Sequence, residues 1–143
     1  MDWTFEIPGP PVAKERPRRA PAGHFYTPTK TKQAEQHVAE CAMAAGVHMK
    51  PKTLYAIEID FYLSAWRRDM DNCEKLLLDG LQKLGDGWDD RYLSSKVTRI
   101  VSVLDAGEEK TVVRLREDVQ VGRPDTGPVH KRVPSRRQAR VGS

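Results

Sequence analysis

Long apolar runs are missing from this 143-residue sequence. No stretch approaches the roughly 18–20 apolar residues that cross a bilayer. The N-terminus also lacks the charged-then-apolar layout of a secretion signal, so a soluble, cytoplasmic protein is expected. Cysteine is scarce: Cys41 and Cys73 form no CxxC pair and have no His nearby at metal-ligand spacing. They read as reduced, mostly structural thiols. Walker A, HExxH and Gly-x-Ser-x-Gly signatures are absent. His24, His37, His48 and His130 stand isolated and read as surface or core residues.

What is plentiful is charge, at 31% of residues against 38% hydrophobic. That balance suits one domain with a real core, over residues 1–119, and an uncovered tail over 120–143. The tail holds Arg123, Lys131, Arg132, Arg136, Arg137 and Arg140 against the single acid Asp125, with almost nothing apolar, and is expected to be disordered. Its basic excess exceeds the net +4 of the whole chain, so the rest is close to neutral. A second basic cluster, Lys14, Arg16, Arg18, Arg19, Lys30 and Lys32 against Glu15, lies within residues 14–32. Positive charge gathered in two segments suits a polyanionic ligand, although a solvated basic face would look the same.

Periodicity supplies the elements. Trp3-Thr4-Phe5-Glu6-Ile7 alternates and stops at Pro8-Gly9-Pro10-Pro11, predicting a short strand followed by a Pro-rich basic loop over about 8–28. A helix is expected over 30–46, capped by Thr29 or Thr31, burying Ala34, Val38, Cys41, Ala42 and Ala45. Tyr55, Ile57, Ile59, Phe61 and Leu63 alternate with Ala56, Glu58, Asp60, Tyr62 and Ser64, the clearest strand in the chain. A second helix is expected over 71–84, with Asp71 as N-cap and Leu77, Leu78, Leu81 and Leu84 as its apolar stripe. Residues 96–104 and 110–116 are β-rich, and Asp105-Ala-Gly107-Glu between them suits a hairpin. The order β-α-β-α-β-β predicts a single α+β domain, a mixed sheet with helices packed on one side.

The chemistry concentrates in Asp69-Met-Asp71-Asn72-Cys-Glu-Lys75, followed by Asp79 and by Trp88-Asp89-Asp90. Clustered carboxylates raise one another's pKa values unless something positive sits among them, and a divalent cation is the usual object. Hard cations such as Mg²⁺ take one or two carboxylates, water and substrate phosphate. Asp71, Lys75 and Asp79 share one helical face at i, i+4, i+8. Asp89 and Asp90 reach the same point if the chain folds back beside the helix. Metal-activated water would then hydrolyse a phosphodiester, with Lys75 orienting hydroxide or stabilising developing charge. The competing reading is plain: Asp-x-Asp before a helix is often only capping, and an Asp–Lys i,i+4 pair is a common surface ion pair worth a few tenths of a kcal/mol. An EF-hand is excluded, because Glu74 and Gly80 stand where the loop needs Gly and Glu.

Two segments carry a resemblance. The first is Ile7-Pro-Gly9-Pro-Pro-Val-Ala-Lys14-Glu-Arg16-Pro17-Arg18, continuing to Tyr26-Thr27-Pro28-Thr-Lys30. The second is Arg68-Asp69-Met-Asp71-Asn72-Cys-Glu-Lys75, Asp79-Gly-Leu81 and Trp88-Asp89-Asp90. Together they resemble the RusA-type Holliday junction resolvases, endodeoxyribonucleases of bacteria and their prophages, over about residues 5–117. The resemblance implies a homodimer that cuts four-way DNA junctions in recombination and repair with Mg²⁺, or alternatively Mn²⁺. Neither an organic cofactor nor a membrane is implied. It implies metal ligation by Asp69, Asp71 and Asp90, catalytic assistance by Lys75, and support from Asn72, Asp79 and Asp89. A two-fold junction needing paired nicks calls for a two-fold protein. Lys14, Arg16, Arg18, Arg19, Lys30, Arg67 and Arg68 are the expected DNA contacts, acting through charge and counterion release. Phe25, Tyr26, Trp66 and Arg67 are candidates to pack at the branch point. A noncatalytic junction-binding module and a hydrolase of small phosphate esters stay open as alternatives.

Overall fold

A computed structural model describes residues 2–118 of the chain. The basic tail expected at 120–143 lies outside the described residues. Strand β1 (Asp2–Pro8) leads into the Pro-rich loop, which carries a small ribbon of β2 (Arg18–Arg19) and β3 (Phe25–Tyr26). Helix α1 (Thr29–Ala44), strand β4 (Tyr55–Leu63) and helix α2 (Met70–Gln82) follow. Strands β5 (Leu93–Ser102) and β6 (Lys110–Glu117) complete an α+β domain with a four-stranded mixed sheet ordered β1-β6-β4-β5.

Alternation explains why β4 sits inside. Tyr55, Ile57, Ile59, Phe61 and Leu63 project into one core with Val38 and Ala42 of α1 and Cys73, Leu76, Leu77, Leu78 and Leu81 of α2. Both helices therefore pack on one side of the sheet, as the pattern predicts. The other face is polar but not entirely wet: Asp60 is buried there, bonded by Arg99 Nε and Arg114 Nη1 from the two flanking strands, each at 2.8 Å.

The expected hairpin between the last two strands does not form. Strand β5 pairs in parallel with β4, from Tyr55↔Leu93 to Leu63↔Ser102, whereas β6 lies antiparallel between β4 and β1. Composition explains the swap. Ser94, Ser95, Lys96, Thr98 and Arg99 suit an edge, while Val112, Val113 and Leu115 are buried and suit an interior strand. Residues 105–108 instead form a short turn that helps carry the chain past the end of β4, and the Asp105 amide donates to Glu108 Oε1 at 3.0 Å. The unit β4-α2-β5 is thus a parallel crossover, which needs a connection of a dozen residues or more.

The helix starts differ from expectation too. Neither Thr29 nor Thr31 caps α1; Pro28 precedes it, and the buried Thr31 hydroxyl accepts from the Glu15 amide at 3.3 Å. Ala45 is exposed, and Glu35 takes a buried place on α1 instead. In α2, Asp69 occupies the N-cap position without a side-chain cap bond, and Asp71 lies in the first turn. Gly80 is where the two helices touch most closely. A Cβ there would fall 2.6 Å from Val38 Cβ and 2.9 Å from the Glu35 carbonyl oxygen.

Candidate active site

The site is built at the end of the sheet where β4 finishes. Ser64 donates its amide and hydroxyl to Glu109 Oε2 at 2.7 and 2.8 Å, which turns the chain out of the sheet. The following turn places Arg67, Asp69 and Asp71 around the start of α2. Arg67 grips Asp69 in bidentate fashion, Nε to Oδ1 at 2.9 Å and Nη2 to Oδ2 at 2.8 Å. That hydrogen bonding holds the Asp69 carboxyl below the usual carboxylate range and raises Arg67 above its own. Asp71 is exposed, its Oδ1 accepting only from the adjacent Asn72 amide at 3.0 Å. An acid in the first helical turn is favoured by the partial positive charge of the exposed amides. Lys75 follows one turn later, exposed and without an ion-pair partner among the described residues. Asp71 and Lys75 therefore present an anion and a cation to solvent beside Asp69.

Asp90 does not join them within one chain. Helix α2 carries the backbone away from Asp69 for thirteen residues, on the order of 20 Å. At its far end Asp86 accepts from the Met49 amide at 3.0 Å, and the buried Trp88 ring stands edge-on to Tyr55, centroids 6.2 Å apart. Tyr55 opens β4 and pairs with Leu93, so Asp90, three residues before Leu93, belongs to the end of the sheet opposite Asp69. Among the described residues no three His, Cys, Asp or Glu side chains are grouped to hold a metal ion. Convergence of Asp69, Asp71 and Asp90 is thus corrected for the single chain: the parallel crossover separates them. Asp69 and Asp71 alone still fit a hard cation that keeps water and takes phosphate oxygens. Asp89 is occupied structurally, accepting from the Arg91 amide at 2.9 Å and pairing with its guanidinium at 3.0 Å.

The basic loop is stapled onto the same helix start. The Lys14 amide donates to the Asn72 carbonyl at 3.0 Å, and Arg67 Nη1 donates to the Pro11 carbonyl at 2.5 Å. Two expected DNA contacts change role here. Lys14 turns inward, its ammonium bonded to Asp79 and within 3.4 Å of Glu35, and the bond to Asp79 raises its pKa. Arg67 spends its guanidinium on Asp69 and Pro11. Asp79 accordingly pairs with Lys14 and not with Lys75 or Lys83. Arg16, Arg19, Lys30 and Arg68 remain exposed, as expected of backbone contacts. Arg18 belongs to the ribbon. Trp66 is 76% exposed, with the Arg68 guanidinium 5.7 Å from its ring centroid, and Phe25 is also largely exposed.

Three residues take structural roles that local pattern did not assign to them. Buried Glu35 lies 3.5 Å from Lys83 as well as near Lys14, tying the loop and both helices together. Glu74 on α2 pairs with Lys96 at 2.9 Å and accepts from Thr98, anchoring the edge strand. Trp88 fixes the segment that carries Asp90. Each depends on a partner distant in sequence, which local pattern does not reveal.

No helix among the described residues is long and apolar enough to cross a membrane. A search of curated proteins finds no match for the chain. A family model described as endodeoxyribonuclease RusA matches residues 8–116, from the last residue of β1 to the end of the sheet, and so takes in the basic loop, the acidic helix start and the Trp88–Asp90 segment. The chain belongs to the RusA endodeoxyribonuclease family, which acts on branched DNA as Holliday junction resolvases.

Proposed function

We propose that the chain is a metal-dependent, structure-selective endonuclease that resolves four-way junctions as a homodimer. The observation that carries this reading is the stapling of the basic loop onto the first turn of α2. A phosphate backbone lying along Arg16, Arg19, Lys30 and Arg68 would pass beside Asp69, Asp71 and Lys75. Asp69 and Asp71 would hold Mg²⁺ or Mn²⁺. When bound, such a cation polarises the scissile phosphate and lowers the pKa of its water. Asp71, in the first turn, fixes its carboxylate where water and phosphate both reach it. Lys75 places an ammonium one turn away, where charge on the phosphate oxygens or the leaving oxygen grows.

The third carboxylate is best supplied by a second copy. Asp90 is exposed three residues ahead of β5, and β5 is an edge strand among the described residues whose far end lies near Ile100, Leu104 and Trp66, all exposed. Two β5 edges related by a two-fold axis run antiparallel. That arrangement would bring Asp90 of the partner subunit toward Asp69 and Asp71, and would build two sites for two nicks.

The test is a synthetic four-way junction against a linear duplex of equal length, with and without Mg²⁺ or Mn²⁺. Paired metal-dependent nicks in the junction alone are expected, abolished in Asp71→Asn while junction binding survives. Undiminished cutting by Asp71→Asn would reject the site. The incomplete carboxylate group of the single chain favours one rival, a noncatalytic junction-binding module. Tight junction binding without cleavage in either metal would establish it, whereas turnover of nucleotides but not junctions would point to a small phosphate ester hydrolase.

A further inference from the structure

Among the described residues, Arg67 is the one basic residue near the acidic helix start that binds both a site carboxylate and the DNA-facing loop. Its Nε and Nη2 occupy both oxygens of Asp69 at 2.9 and 2.8 Å, and its Nη1 donates to the Pro11 carbonyl. The side chain is half-buried, so these bonds are shielded from water more than surface pairs are. Planar, forked geometry makes such a bridge specific to Arg, because a Lys ammonium cannot span a carboxylate edge and a carbonyl in one plane. Glu109, the acceptor for Ser64, lies close enough to add to the field that keeps the guanidinium in place.

We infer that Arg67 is a positioning residue that holds Asp69 in reserve and couples its availability to the basic loop. The inference rests on the reading of Asp69 as a metal ligand. A cation approaching Asp69 competes with a guanidinium for the same two oxygens, so the free protein binds metal more weakly than its carboxylates alone would. Release of Asp69 removes two of the three bonds that fix Arg67 and loosens its hold on Pro11. Linkage is reciprocal: whatever draws the Pro11 segment away, DNA on the loop included, favours the metal-ready state of Asp69 by the same factor.

The experiment is Mn²⁺ binding to the full chain without DNA, followed by the electron paramagnetic signal of free ion, together with amide hydrogen exchange over residues 9–14. Arg67→Ala is expected to bind Mn²⁺ at least threefold more tightly than the parent and to exchange faster through the loop. Arg67→Lys keeps a charge but not the fork, and is expected to show the same loop loosening with a smaller gain in affinity. It also keeps the test decisive if Arg67→Ala fails to fold. Unchanged or weaker Mn²⁺ binding in the folded variants overturns the inference. Asp71→Asn separates the two levels of argument: if it loses Mn²⁺ binding that the parent shows, the metal site stands even where the Arg67 inference falls. If neither the parent nor either folded Arg67 variant binds Mn²⁺, both fall.

Discussion

Asp69 and Lys75 show how differently neighbouring charges fare on one helix start. Asp69 is already partnered, while Lys75 reaches solvent unpaired among the described residues. An ammonium that meets negative charge only as it develops in the transition state raises the rate more than the grip. Lys75→Ala is therefore expected to slow junction cleavage roughly 100-fold or more, the scale of losing one such donor, with junction affinity changed only slightly. Equal losses in a binding titration and a cleavage time course would make Lys75 a simple DNA contact. Asp60 shows the opposite economy. Burial pushes its carboxyl up, but hydrogen bonds from Arg114 and Arg99 outweigh burial and hold it below the usual range. A lowered folded pKa means a contribution fully present above the unfolded value of about 3.9 and lost as pH falls through the folded value. Acid melts should show extra destabilisation below about pH 4 in the parent, and a shallower dependence in Asp60→Asn. Parallel acid profiles for the two proteins would remove Asp60 from the account. The acidic cluster and Lys75 were legible because their spacing is local. The partners of Arg67, Lys14 and Asp79 were not all local, since Pro11 reaches Arg67, and Glu35 and Asp79 reach Lys14, across loops.

Among the elements, α2 combines a legible stripe with a constraint that pattern hides. Its leucines announce a buried face, but Gly80 reads as a mere weakness in a helix, costing about 1 kcal/mol relative to Ala. The structure reverses that sign. A methyl group at position 80 meets Val38 Cβ and a backbone oxygen of α1, which cannot swing aside. Gly80→Ala is expected to lower stability by roughly 1–3 kcal/mol, the range of overpacked cores, read as a shift in urea midpoint. A higher midpoint would mean the helices stand further apart than drawn. Strand β4 was legible end to end, because a period of two in large apolar residues admits few other readings. The hairpin failed for the converse reason: a turn sequence between two β-rich segments says nothing about which strand lies between them.

For the whole molecule, the separation of Asp90 from Asp69 makes a sharp prediction about subunits. In the proposed homodimer, Asp71→Asn and Asp90→Asn are each expected to be inactive. If each site mixes residues of two subunits, a mixed dimer of the two variants has one site carrying both lesions and one intact. Co-refolded mixtures should then regain single-strand nicking of a junction without paired resolution. Complete inactivity of verified mixed dimers would place all the carboxylates of a site in one subunit.

The strand order also bears on how the chain comes to be folded at all. Among the described residues, strand β1 pairs only with β6, more than a hundred residues later, and β6 is the last of the described elements to be synthesised. A nascent or prematurely terminated chain that stops before Lys110 would keep β1 unmated and leave β4 with a bare side. Contacts this remote are slow to form, and open strand edges invite association with other chains. Shortened translation products should consequently be cleared or aggregate, with no half-built domain able to persist.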